Sequence, residues 1–247
     1  MHLEQTVQRM KSMRLSAMAD SLDRRLDAGE HRQLSSEDFL SVLIDDEFLA
    51  RKNKRLAGLI RRSNLRPEKP CLENVKIDNS RGFKKTDLSE YYRDDWIKSA
   101  RNILLSGATG TGKTWLAEAL VFQACKLGYP ARKIAFPVLL EEIRVARAMG
   151  KWLKFLKDMD KTAVLMIDDF LISECSIVEA GEVLTLLEER TGRNVTVITT
   201  QYPPEKWHSR IPDPTIADAI CDRLITAATR FSLKGKSLRG ASVIEKV

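Results

Sequence analysis

Eight consecutive residues bring the first recognisable chemistry of this chain: Gly107, Ala108, Thr109, Gly110, Thr111, Gly112, Lys113 and Thr114. They fit the pattern G-x-x-x-x-G-K-[ST] without a mismatch. Glycines let a backbone curl until successive N–H groups converge on phosphate oxygens. A helix opening directly after such a loop adds the positive end of its dipole. Lys113 supplies a point charge to the outer phosphates, and the Thr114 hydroxyl is a ligand for Mg2+. Further along, VLMIDDF (164–170) ends an apolar run on two carboxylates. Carboxylates at the end of a buried strand need a partner. Asp168 is the natural partner of a nucleotide-bound Mg2+, directly or through water. Asp169, on the other side of an alternating strand, is placed to orient or deprotonate an attacking water. The strand NVTVITTQ (194–201) ends in Thr199, Thr200 and Gln201, any one of which can sense a terminal phosphate.

These residues need a frame. RNILLSG (101–107) reads as a strand leading into the loop, with a helix from Lys113 to Leu127 after it. That strand–loop–helix setting is the one in which the phosphate motif has meaning. A strand over 132–137, an amphipathic helix over 138–149, a strand over 163–169 and a helix from Ile177 to Arg190 follow. Then come a strand over 194–200, a helix near 214–226 and a strand over 229–233. Alternating strands and helices imply an α/β domain with a mostly parallel sheet covered on both faces.

Residues 1–66 differ in rhythm. Leu15, Met18, Ala19, Leu22 and Leu26 recur at helical spacing, and Ser35 with Asp38 three residues on reads as a helix start. A stripe of Phe39, Val42, Leu43, Leu49, Leu56, Leu59 and Ile60 follows, with Arg51, Arg55 and Arg62 on the other side. One face is for packing and one for anions. Pro67 and Pro70 then break the pattern, so we expect a helical domain over 1–68 and a second domain over 69–247.

Composition narrows the class. The chain has 247 residues, 43% hydrophobic and 30% charged, as a soluble globular protein has. It has no run long enough for a membrane span, and the polar N-terminus lacks the apolar core of a signal peptide. The four cysteines are scattered, without a CxxC pair, which fits a reducing cytoplasm rather than a disulfide framework or a zinc site. The net charge of +7 is concentrated. Residues 51–69 hold eight Lys/Arg against one Glu, and residues 223–247 hold six against one. Both segments suit a polyanion.

The GATGTGKT loop, the DD-ended strand, TTQ, the block PPEKWHSRIPDPTIADAICDRL and the late LKGKSLR together resemble the IstB-type ATPases. These are transposition helper proteins of the AAA+ class, related to the DnaC helicase loaders. MKSMRLSAMADSL, SSEDFLSVLIDDE and RKNKRLAGLIRR resemble that family's helical N-terminal domain, so the likeness spans nearly the whole chain. It implies an AAA+ core with sheet order 5-1-4-3-2 behind a helical domain, with ATP and Mg2+ as ligands. It also implies ATP-dependent self-assembly on duplex DNA and recruitment of a transposase. By the same resemblance Arg223 reaches a neighbouring subunit's γ-phosphate, and Arg239 reads the nucleotide of its own subunit. The chain departs from the pattern in three places. Leu171 stands where many relatives carry Gly after the acid pair, a difference expected to touch loop flexibility only. Ala108-Thr109 replaces a more usual proline pair. Asp169 stands where most AAA+ ATPases have Glu, shorter by roughly 1.5 Å, one C–C bond. We therefore expect slow hydrolysis used as a switch. A full helical lid after GKSLR is likewise not expected.

Duplex DNA is then the expected polyanion, gripped through Arg51, Lys52, Lys54, Arg55, Arg61 and Arg62 without sequence preference and with strong salt dependence. No aromatic residue lies in that run, so stacking on single-stranded bases is not indicated. A helicase loader would use the same ATP chemistry with a helicase as partner. A small-metabolite kinase would leave the basic helix and Arg223 without a role.

Overall fold

The computed structural model describes residues 2–68, 70–75, 82–235 and 237–238. The chain divides into two compact units, Met1–Gly58 and Leu59–Val247. In the first, α1 (His2–Ser12) and α2 (Ser16–Asp27) enclose a small core of Val7, Met10 and Ala19, with Leu15, Met18 and Leu22 against it. Helix α3 runs unbroken from Ser36 to Arg62. Ser35 starts it as expected: its Oγ accepts from the Asp38 N–H at 3.1 Å and donates to the Asp38 carboxylate at 2.7 Å. Polar pins tie α2 to α3. The Met18 N–H donates to Glu47 at 3.0 Å, and Ser21 and Arg25 both donate to Asp46, holding that carboxyl below its ordinary range. The stripe expected on α3 is buried at Leu43 and Leu59, whereas Leu49 is 51% exposed. With so small a helical core, the charged pins at Asp46 and Glu47 help choose which side of the helix faces inward.

The division between the units falls inside α3, before the proline pair that was expected to mark it. Leu59 is buried, and the Ser63 carbonyl accepts from the Lys133 N–H at 2.8 Å. The last turn of α3 and the residues after it are thereby held by the second unit.

That unit is built on strands β1 (Ile103–Gly107), β2 (Ala131–Ala135), β3 (Val164–Asp168), β4 (Val195–Thr200) and β5 (Thr229–Leu233). All pair in parallel in the order β2-β3-β4-β1-β5, which is 5-1-4-3-2 read from the β5 side. Every residue of β3 and β4 is buried, as strands covered on both faces must be. The helices are α4 (Asp95–Lys98), α5 (Lys113–Lys126), α6 (Phe136–Ala148), α7 (Trp152–Asp160), α8 (Ile177–Arg190) and α9 (Pro214–Ile225). Helix α7 was not anticipated, although Trp152, Leu156 and Met159 recur at helical spacing and are buried. Ser176 opens α8 with a capping box to Glu179, and Asp213 caps α9 ahead of Pro214. The core between the sheet and α6–α9 centres on Phe136, Phe170 and Trp207, whose rings meet edge to face.

One ion is buried beneath the starting ends of the strands. Arg190, 1% exposed, donates to the carbonyls of Met159 at 2.6 Å, Thr162 at 2.9 Å and Val195 at 2.8 Å. Burial pushes its pKa down to about 10.

Candidate nucleotide site

The phosphate loop lies between the end of β1 and the start of α5, at the carboxyl edge of the sheet where parallel α/β folds bind ligands. Its glycines are required. Gly107, Gly110 and Gly112 have φ of 147°, 84° and 96°. A Cβ on Gly107 would lie 2.2 Å from the Leu233 carbonyl oxygen, and one on Gly110 would lie 2.2 Å from the Ser237 Oγ. Inside the loop, the Thr111 Oγ1 donates to the Ala108 carbonyl at 2.8 Å. The buried Lys113 Nζ donates to the carbonyls of Gly107 and Ala108 at 2.8 and 2.9 Å. The Leu238 N–H closes on the Gly110 carbonyl at 2.8 Å.

Asp168 faces this loop. The Thr114 hydroxyl donates to its Oδ1 at 3.0 Å, and the Thr199 hydroxyl donates to the same oxygen at 2.6 Å. Thr199 in turn accepts the Asp169 N–H at 2.9 Å. A hydroxyl and a carboxylate this close are hard oxygen donors of the kind Mg2+ takes, and the three glycines put no β-carbon of their own into the loop. The residues present thus fit a Mg2+–nucleotide.

Asp169 does not continue the strand alternation. Its φ is 51°, and the Ile172 N–H donates back to its carbonyl at 3.0 Å. The tight turn brings Asp169 into the lining of the same 450 Å3 cleft as Thr109, Lys113, Thr114 and Gln201. Leu171 also takes a positive φ, 61°, while 1% exposed. The left-handed region disfavours a β-carbon by about 1–2 kcal/mol, which is why a glycine suits that position. Here burial of the leucyl side chain offsets the penalty, so the residue anchors the turn in the core rather than loosening it.

Of the other expected residues, Gln201 is in the cleft, and its Oε1 accepts from the Thr109 hydroxyl at 2.9 Å. Thr200 is not: its hydroxyl donates to the Phe170 carbonyl at 3.2 Å and accepts the Tyr202 N–H at 3.1 Å. Strand alternation turns it away, and Thr199 takes the place beside Asp168. Arg223 on α9 pairs with Glu188 of α8 at 2.6 Å and is not in the cleft lining of its own chain. Arg239 lies outside the described residues. In the helical unit Arg51 is engaged by Glu47 at 2.7 Å and by the Arg14 carbonyl at 2.8 Å, whereas Lys52 and Lys54 are exposed and Arg55 is exposed too. Arg61 and Arg62, in the second unit, line a separate groove with Arg132 and Lys161.

Four residues near the site escaped sequence reasoning: Arg66, Trp115, Glu118 and Lys133. Arg66 and Trp115 line the cleft. Glu118 is fully buried and pairs with Lys133 at 2.5 Å and Arg66 at 2.6 Å. A lone carboxylate in the apolar run WLAEALVF was the available signal.

A five-stranded parallel sheet with this loop after β1 and an acid-ended strand, β3, separated from β1 by β4 defines a P-loop nucleotide-binding protein of the AAA+ class. The family model described as "IstB-like ATP binding protein" matches residues 8–244, and the chain belongs to that family. It is 35% identical to an insertion-sequence ATP-binding protein of Sinorhizobium fredii, over 95% of this chain and 94% of that one. It is 32% identical to the ATP-binding protein of insertion sequence IS1162 of Pseudomonas fluorescens, over 82% and 88%. Among solved structures, the DnaC helicase loader superposes with a TM-score of 0.57 at 19% identity, covering 67% of this chain and 97% of that chain, a likeness of fold.

Proposed function

We propose that this protein is an ATP-dependent transposition helper that assembles on duplex DNA and recruits a transposase. The observation that carries the nucleotide half is the Thr114–Asp168–Thr199 cluster under the glycine loop. ATP occupies the cleft, with Lys113 on its outer phosphates and Gln201 near the terminal one. Thr114 and Asp168 hold Mg2+, which neutralises phosphate charge there. Asp169 faces the cleft from its turn and orients the attacking water, with its shorter reach keeping turnover slow. Thr199 fixes both acids at once through one hydroxyl, acting on Asp168 as donor and on the Asp169 N–H as acceptor.

Membership of an insertion-sequence family supports the rest. Arg223 leaves Glu188 to reach the nucleotide of an adjoining copy. Arg239, directly after Leu238, reads the nucleotide of its own chain. Lys52, Lys54, Arg55, Arg61 and Arg62 supply most of the charge for the DNA backbone, and Arg51, held by Glu47, contributes less. Binding of fluorescent duplex DNA at rising salt, with and without ATP, tests the reading. ATP-promoted binding that falls steeply with salt is expected. Undetectable binding at low salt with ATP would remove the proposal. Capture of a replicative helicase, with none of a cognate transposase, would replace it with a loader.

A further inference from the structure

Asp168 has a third neighbour besides the two threonines. The Lys133 ammonium, on β2, stands 3.4 Å from its Oδ2 and 2.5 Å from Glu118 Oε1. Glu118 is fully buried on α5, and its other oxygen meets the Arg66 Nε at 2.6 Å. Lys133 is itself fixed through its backbone. Its N–H donates to the Ser63 carbonyl at 2.8 Å, and its carbonyl accepts from the Asn64 side chain at 3.4 Å. The row Arg66–Glu118–Lys133–Asp168 alternates in sign and balances in charge. A divalent cation arriving at Asp168 upsets that balance, because two cations then face one carboxylate. Lys133 already sits nearer its second seat, Glu118, and a buried carboxylate favours a full partner strongly.

We propose that Lys133 is a positioning residue for the metal site, a counter-cation shared between Glu118 and Asp168 that a Mg2+–nucleotide drives from Asp168 to Glu118 alone. This rests on the reading of Thr114 and Asp168 as the Mg2+ site. Lys133 aims the carboxylate at the loop and sets the threshold of Mg2+ at which nucleotide is held firmly. Glu118 sets how readily the lysine yields, and Arg66 keeps Glu118 in place from the cleft side.

Two substitutions move that threshold in opposite directions. Lys133→Met removes the competing charge, so the Mg2+ concentration at half-saturation should fall about tenfold, the lower end of what a charge within about 4–6 Å does to a carboxylate. Glu118→Gln removes the second seat, leaving Lys133 on Asp168, so the same midpoint should rise several-fold. The measurement is a Mg2+ titration of a fluorescent ATP analogue bound to the full-length chain, with Asp168→Asn as control and melting curves for each variant. A merely structural pair would weaken binding in both variants, and that result, or no shift in either, overturns the proposal. Should either single variant fail to fold, the double variant Lys133→Met/Glu118→Gln, which loses one charge of each sign, decides. Its midpoint should fall as for Lys133→Met; an unchanged or raised midpoint overturns the proposal. If the native chain binds the analogue with no Mg2+ dependence, the metal-site reading itself fails. If the native chain is Mg2+-dependent but the variants do not diverge, only the role of Lys133 fails.

Discussion

The two ends of the central sheet each bury an ion, and they treat it differently. At the starting ends of β3 and β4, Arg190 is surrounded by three backbone carbonyls, one at the end of α7, one just before β3 and one on β4, that cannot move without disturbing those elements. At the finishing ends, Asp168 is held by two hydroxyls and a lysine, each of which has a rotatable bond and another partner or another task. The first ion is saturated by the fold. The second is held by groups that can be exchanged. Backbone partners make an ion part of the architecture; side-chain partners make it available to a ligand.

Substitutions can break this contrast. The largest effect is expected in turnover. Asp169→Asn should lower ATP hydrolysis by about 10²–10⁴-fold, the usual contribution of a general base, while nucleotide affinity persists. Asn also tolerates the left-handed backbone of that residue, so the melting temperature should hold. Undiminished phosphate release would show that another group activates the water. Arg190→Met should lower stability by about 3 kcal/mol in denaturant unfolding, because several buried carbonyls lose their donor. The folded fraction should still bind nucleotide with native affinity; a parallel loss of affinity would mean that the two ends are coupled. Lys113→Ala should weaken nucleotide binding about a hundredfold, as expected for a charge-assisted contact to phosphate. Calorimetric titration reads this directly. The smallest effect separates two adjacent threonines. Thr200→Val should lower stability by about 1 kcal/mol and leave nucleotide binding alone. Thr199→Val should disturb the Mg2+ dependence. Equal behaviour of the pair would contradict the assignment of Thr199 to the site.

Much of the ligand end was legible beforehand. The phosphate loop and Asp168 could be placed because glycine spacing and a buried acid admit few alternatives, and the strands could be placed because parallel strands are continuous apolar runs. What escaped depends on three dimensions. Nothing in IDDFL announces that the chain turns left-handed at Asp169 and again at Leu171. That turn, not strand alternation, decides where the second acid faces. The choice between Thr199 and Thr200 depends on strand phase, which shifts with a single residue. Glu118 and Lys133 are far apart in the chain and join only when α5 packs against β2 and β3. Continuous helicity through Arg62 likewise hid the place where one compact unit gives way to the next, since a helix has no local sign of which neighbour holds its last turn.

The residues that leave α3 have one more effect. The Lys133 peptide faces outward from the last strand on that side of the sheet, and Ser63 and Asn64 occupy both its N–H and its carbonyl. An uncovered margin of this kind invites another chain to add a strand and form a continuous ribbon, a union that is slow to undo. With the Lys133 peptide already bonded, another chain cannot pair with the middle of β2 through that N–H and carbonyl. Copies that assemble as proposed above would therefore meet there through side chains, contacts that can be made and released as nucleotide comes and goes.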